Sequence, residues 1–163
     1  MSTTGDQQKR SVYDASCWPL GMTFSSGSPR LEDMLDDAAN WRAWLGRGER
    51  FAILRVLLDR DAYAHPPGAA QARKAWLAEH GGLIRQHMLG MALVLPEDVL
   101  DQAQRMQAER LFGVPAQAFC SVEDAIAWLR PLMTQNFGIA NSEAALIRAL
   151  VRSQQMIASL SRR

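Results

Sequence analysis

Two aspartates and a histidine follow an apolar segment, at a position where α/β proteins often place reactive side chains. Asp59, Asp61 and His65 come directly after residues 51–58, which are almost all apolar. An aspartate at the carboxyl end of a buried strand reaches the crevice in which such proteins bind their substrates, and a phosphotransferase can use that carboxylate as its nucleophile. These three residues are therefore candidate ligand- or partner-binding residues.

Phosphotransfer chemistry needs further groups, and the sequence does not supply them at the required spacing. A lysine farther along the chain and an acidic pair for Mg²⁺ are both necessary. Lys74 is too close in sequence, and the pair Asp36-Asp37 lies upstream, in a predicted helix. Loop aspartates such as Asp59 commonly bond nearby backbone amides instead. We predict no catalytic residue and no enzymatic activity.

The histidines and cysteines are not arranged as metal ligands. The spacing of His80 and His87 corresponds to two helical turns, or about 10 Å, whereas a zinc–nitrogen bond is only about 2 Å long. Cys17 and Cys120 lie far apart, and neither has a second cysteine or a ligand-spaced histidine nearby. The sequence predicts no metal and no cofactor, and two free thiols in a reducing compartment.

Four large side chains form the second candidate site. Trp41, Trp44 and Leu45 are close together in one predicted helix, and Trp76 lies in the next. Tryptophan buries a large area, so ordinary core packing explains these residues. The alternative is an apolar crevice between the sheet and the first helix, in which these residues bind a lipid or another small apolar ligand.

The composition excludes several classes of partner. The formal net charge is +1, so the chain lacks the strongly basic field that nucleic-acid binding requires. The polar N-terminus has no apolar signal-peptide core, and no apolar run is long enough to span a membrane. We expect a cytoplasmic protein without a transmembrane segment.

The apolar patterning predicts strands that alternate with helices. The predicted strands are 13–17, 18–24, 51–58, 90–95 and 116–120. The predicted helices are 30–47, 69–88, 96–112, 121–132 and 141–160, and Pro131 is expected to end or bend the fourth of these. Strands separated by helices of this length form right-handed crossovers. The expected fold is α/β: a small mixed, mostly parallel four- to five-stranded sheet with helices packed on it, plus an extra C-terminal helix.

Three passages resemble the STAS and SpoIIAA-like families of bacterial proteins. They are residues 48–59, residues 90–96 and the segment Phe119–Leu129, which contains an Ala-x-x-Trp-Leu ending. The resemblance implies a STAS/SpoIIAA-like domain over residues 12–133. It would be preceded by a disordered tail over residues 1–11 and followed by a linker and an amphipathic helix over residues 134–163.

The resemblance implies a regulatory role, but it does not extend to the phosphorylation switch of the family. STAS anti-sigma factor antagonists carry a phosphorylatable serine or threonine after a central strand, whereas residues 59–65 contain neither. We expect a non-enzymatic regulatory protein that acts by protein–protein interaction. The alternative is the ligand binder described above. A continuous apolar cavity near Trp41, Trp44 and Trp76 would favour the ligand binder, and a flat exposed apolar patch would favour the interaction protein.

The C-terminal helix has one apolar face. The residues expected on that face are Leu146, Leu150, Ile157 and Leu160. An amphipathic helix of this kind can dock on its own domain, pair with a second copy in a homodimer, or contact a protein partner or a membrane surface. The sequence leaves these three alternatives open.

Overall fold

Five strands form one sheet in which their spatial order is the same as their order in the sequence. The computed structural model describes residues 10–161. The strands are β1 (Arg10–Asp14), β2 (Leu20–Ser26), β3 (Phe51–Leu57), β4 (Met88–Val94) and β5 (Ala116–Phe119). β1 is antiparallel to β2, and β2 to β5 are parallel to one another. The predicted α/β fold with a mostly parallel sheet is confirmed.

The helices lie on both faces of the sheet. They are α1 (Leu31–Leu45), α2 (Ala69–His87), α3 (Glu97–Arg105), α4 (Ala108–Phe112), α5 (Val122–Phe137) and α6 (Ile139–Ser161). Each parallel strand is added on the same side of the previous one, so right-handed crossovers place α1 to α4 on one face. α5 and α6 follow the last strand and pack together on the opposite face.

The alternation of side chains along β3 divides the core into two layers. Ala52, Leu54 and Val56 belong to a buried cluster with residues of α5 and α6. Phe51 and Ile53 belong to a different cluster, with residues of α1 and α2. Successive side chains of a strand point to opposite faces, so one apolar strand supplies both layers.

α6 docks on its own domain. Leu146 is buried in the core cluster beneath it, and Leu150, Ile157 and Leu160 pack against that cluster. The helix contacts β2 and α5. The four residues considered for a homodimer or a partner therefore contact their own chain, and the additional C-terminal helix is part of the fold.

A partly buried ion pair also connects α6 to the N-terminal hairpin. Arg152 donates a hydrogen bond from Nε to Oδ2 of Asp14 over 2.7 Å, and Asp14 is buried. Burial acts to raise the pKa of the Asp14 carboxyl, but the hydrogen bonds from Ser16 and Arg152 outweigh it and hold the pKa below its usual value. The carboxylate of Asp14 is therefore the form that the hairpin and α6 stabilise together.

Three predicted boundaries were wrong. α5 continues through Pro131 to Phe137, so the linker predicted from residue 134 is mostly helical. Pro131 and Ala127 are both exposed, and the carbonyl that loses its donor can bond water instead. The single helix predicted over residues 96–112 is divided at Gln107, whose φ of 51° interrupts the helix. β1 begins at Arg10, within the predicted tail, and residues 1–9 lie outside the described residues.

Candidate functional site

A large cavity lies between the sheet and the helices α1 to α4. Its volume is about 720 Å³, within the range of about 300–1,000 Å³ that is typical of small-molecule sites. Leu57, Met91, Leu93 and Ala118 lie on its floor, on β3, β4 and β5. The helices and the loop that follows β3 form its walls. The predicted cavity of the ligand-binding alternative is thus present on this face of the sheet.

Short side chains explain why the helices leave a space on this face. Ala72 on α2, Ala103 on α3 and Ala108 on α4 all line the cavity, opposite Ala116 and Ala118 on β5. Methyl groups on both sides cannot fill the space between two layers that stand about 10 Å apart. The core on this face is accordingly divided into two buried clusters, whereas one continuous cluster fills the opposite face.

Two of the predicted tryptophans form an aromatic wall of the cavity. Trp41 and Trp76 both line it, and their rings meet edge to face with centroids 5.8 Å apart. The ring of Phe112 packs against that of Trp41, with centroids 5.7 Å apart. The imidazole of His80 stacks on Trp76, with centroids 4.6 Å apart. Contacts on several sides fix these rings, so the wall is a preformed apolar surface.

The other two residues of that group do not line the cavity. Trp44 and Leu45 are buried outside the cavity lining. Trp44 meets Phe51 and Trp18, with ring centroids 6.4 Å and 6.1 Å away. Trp44 follows Trp41 by three residues, which correspond to a rise of about 4.5 Å and a rotation about 60° short of a full turn. The two tryptophans can therefore face different partners although they belong to one helix.

The loop after β3 separates the three residues that the sequence groups together. Both carboxylate oxygens of Asp59 accept the backbone N–H of Gly27, at 3.1 and 3.0 Å, and Oδ1 also accepts that of Ala62, at 2.9 Å. Asp59 therefore fixes the turn. Asp61 is exposed at the start of a short 3-10 turn, and only His65 lines the cavity. The three side chains do not converge on one site.

Sequence reasoning missed Arg55, a residue of the cavity floor on β3. Arg55 is the one charged residue of β3, and it is half-buried between two strands that flank it on the sheet. It shares its face of the strand with Ile53 and Leu57. The signal in the sequence was the charge itself, at an inward position of an otherwise apolar central strand.

A second arginine lines the same cavity, from α2. Within residues 10–161, neither Arg55 nor Arg73 forms a hydrogen bond or an ion pair with another side chain. Burial lowers the pKa of His65, and the positive charges of Arg73 and Arg55 lower it further. The lowered pKa favours the neutral imidazole of His65, and both guanidinium groups act on this residue.

Negative charge lies elsewhere in the lining. Asp37 on α1 accepts a hydrogen bond from the hydroxyl of Tyr13, and burial together with this carboxylate raises the pKa of that phenol far above its usual value. Glu109 and Arg110 are exposed on α4. The cavity thus has a cationic end near His65 and an acidic group at the Tyr13 side.

Three large apolar side chains are exposed at the entrance to the cavity. Leu35, Met106 and Leu111 all line the cavity and are exposed, Leu35 by 64%. The hydroxyl of Tyr63 contacts the sulfur of Met106 at 2.9 Å and ties the loop after β3 to the end of α3. Exposed apolar side chains around a cavity opening are typical of ligand-binding grooves.

Comparison with known proteins adds no assignment. No protein-family model matches the chain, and neither a curated protein nor a solved structure is similar to it. None of the described helices combines the length and the apolar character that crossing a membrane requires. Across residues 10–161, no three histidine, cysteine, aspartate or glutamate side chains lie together as metal ligands would.

Proposed function

We propose that this protein binds a small, largely apolar molecule in the cavity between the sheet and helices α1 to α4. The observation that carries the proposal is the cavity itself, about 720 Å³ in volume, with an aromatic wall of Trp41 and Trp76 and an apolar entrance. Sites for small molecules are concave and mostly apolar, with a few polar groups that orient the ligand.

The asymmetry between the two faces supports this proposal. Protein interiors are packed about as densely as organic crystals and contain few voids larger than a water molecule. The α5–α6 face follows this rule with one continuous buried cluster. The other face keeps its space open with alanines on both sides, and a bound apolar molecule would restore the contacts that these positions lack.

The regulatory hypothesis is the second candidate, and one surface favours it. Ile147 and Val151 lie one turn apart on the outer side of α6 and are 60% and 49% exposed. A stripe of this kind suits a protein partner or a second copy of the chain. The STAS/SpoIIAA-like assignment, the absence of the phosphorylation switch and a cytoplasmic location belong to this proposal and are supported by the sequence passages alone.

A substitution that fills the cavity tests the ligand-binding proposal. Ala72→Phe places a ring in the cavity wall of α2, whereas Ala78→Phe adds the same ring to an exposed position of the same helix. We expect the uncharged fluorescent probe N-phenyl-1-naphthylamine to bind the unmodified protein saturably. Its affinity should fall at least ~10-fold in Ala72→Phe, a loss of about 1.4 kcal/mol, and stay unchanged in Ala78→Phe.

The urea midpoint of each variant provides the control for folding. A retained midpoint with lost probe binding in Ala72→Phe alone supports the cavity as the binding site. Equal binding by the two variants, or no saturable binding to the unmodified protein, would contradict the proposal.

A further inference from the structure

The position of Arg55 gives the cavity a chemical preference. A guanidinium group cannot lose its charge at neutral pH, and placing it among apolar side chains removes part of its hydration. Arg55 stands on the central strand of the sheet, with Ile53 and Leu57 on the same face. A half-buried cation is stable in such a place when an anion accompanies it.

No described carboxylate accompanies Arg55 or Arg73. Within residues 10–161 neither guanidinium has an ion-pair partner, although other arginines of this part of the chain do, such as Arg130 with Glu143 at 2.7 Å. The positive charges of Arg73 and Arg55 both lower the pKa of His65, which lines the same cavity. Two unpaired cations acting on one end of an apolar cavity create a positive potential there.

The two acidic residues of the lining have other neighbours. Asp37 lies with Tyr13 on the α1 side and receives the hydrogen bond of that phenol. Glu109 stands on α4, in an exposed position beside Arg110. The charges that lower the pKa of His65 are those of Arg73 and Arg55.

We propose that the ligand is an amphipathic anion, with its apolar body against Trp41 and Trp76 and its anionic head group held by Arg55 and Arg73. This inference rests on the proposed function, since it names the class of molecule that the cavity takes. The head group is an anion with at least two acceptor oxygens, such as a carboxylate or a phosphate. A guanidinium group donates two parallel hydrogen bonds to a group of this kind.

A series of ligands with one alkyl chain and different head groups tests the inference. Dodecanoate, dodecyl phosphate, dodecanol and dodecyltrimethylammonium each compete with N-phenyl-1-naphthylamine for the full chain at pH 7, below their micelle concentrations. We expect one of the two anions to bind about 10- to 100-fold more tightly than dodecanol, and the cation to bind more weakly than dodecanol. The tighter anion identifies the head group.

Arginine variants assign the preference to residues. In Arg55→Gln, dodecanoate and dodecyl phosphate should bind no more tightly than dodecanol binds to the same variant. Arg73→Gln should remove part of the preference. Arg105→Gln is the matched control, because Arg105 is exposed on α3 and lies outside the lining, and it should leave the whole series unchanged.

The uncharged probe separates the two levels of failure. If it does not bind the unmodified protein, the proposed function itself is contradicted. If it binds but the anions show no advantage over dodecanol, or if Arg55→Gln and Arg105→Gln reduce that advantage equally, only the anion inference is overturned. The urea midpoint reports whether Arg55→Gln is folded, and Arg73→Gln replaces it in the comparison if it is not.

Discussion

Leu146→Ala is expected to lower the free energy of unfolding by about 2–5 kcal/mol, the usual cost of truncating a fully buried leucine. Leu146 is 1% exposed and belongs to the core cluster that joins α6 to the sheet and to α5. The neighbouring residue Ile147 is 60% exposed, so Ile147→Ala should change stability by less than ~0.5 kcal/mol. Urea unfolding of both variants measures the difference.

This pair of variants also tests whether α6 belongs to the domain. If the helix were an arm that docks only on a partner, the two substitutions would have similar and small effects on the isolated chain. A loss confined to Leu146→Ala requires that α6 packs on its own sheet, as its contacts with β2 and α5 indicate.

Gly21→Ala is expected to destabilise the protein by about 1–3 kcal/mol, because an added methyl group has no space on β2. A Cβ atom at Gly21 would stand 2.6 Å from Cζ3 of Trp44 and 2.9 Å from two further atoms of the same ring. Trp44 is itself buried against Trp18 and Phe51, so it cannot move away freely. Thermal or urea unfolding measures the loss.

A double-mutant cycle identifies the cause of that loss. All three close atoms belong to the six-membered ring of Trp44, so Gly21→Ala should cost much less in a Trp44→Leu background. Gly82→Ala is the control, since a Cβ there meets nothing within 4 Å and gains up to ~1 kcal/mol of helix propensity in α2. An equal cost of Gly21→Ala in both backgrounds would show that the contact with Trp44 is not responsible.

The arrangement of strands and helices was predictable because apolar periodicity encodes it directly. Residues 90–95 carry no charge or polar side chain, and Arg55 alone interrupts the apolar run of residues 51–58. Runs of this length and composition are typical of strands covered on both faces. The helix starting after Ser121 was predictable for a local reason: the Ser121 hydroxyl accepts the backbone N–H of Asp124 at 3.1 Å, as an N-cap does.

The errors arose where local sequence signals and the actual packing differ. Proline is a strong helix breaker, yet Pro131 lies on the exposed side of α5, where the missing hydrogen bond is tolerated. The division between α3 and α4 occurs at Gln107, a residue with no intrinsic tendency to adopt a positive φ. The sequence alone therefore predicts neither the continuation of α5 through Pro131 nor the division of the helix at Gln107.

The site was only partly predictable, because a cavity depends on which side chains are absent from a space. Trp41 and Trp76 were identified as candidates by their size, but size did not distinguish them from Trp44, which packs outside the lining. The alanines that create the cavity are common in helices and carry no signal. Arg55 did carry one, since a charged residue in an apolar central strand requires a partner that the described residues do not supply.

The two faces of the sheet differ in how completely the helices cover them. α5 and α6 close one face completely, and α1 to α4 leave a space above the centre of the other. Leu146→Ala probes the packing of the filled face, and Gly21→Ala probes the packing of β2 against Trp44 on the other face. The open face supplies an apolar wall, a cationic end and an entrance.

The most direct test of ligand binding in the cavity uses the indole N–H resonances of the five tryptophans. These five signals, assigned with single Trp→Phe variants, are recorded by two-dimensional nitrogen–proton NMR while N-phenyl-1-naphthylamine is added. The account predicts shifts for Trp41 and Trp76, which line the cavity, and none for Trp128 on the opposite face. Saturable shifts of Trp128 with unchanged Trp41 and Trp76 signals would contradict it.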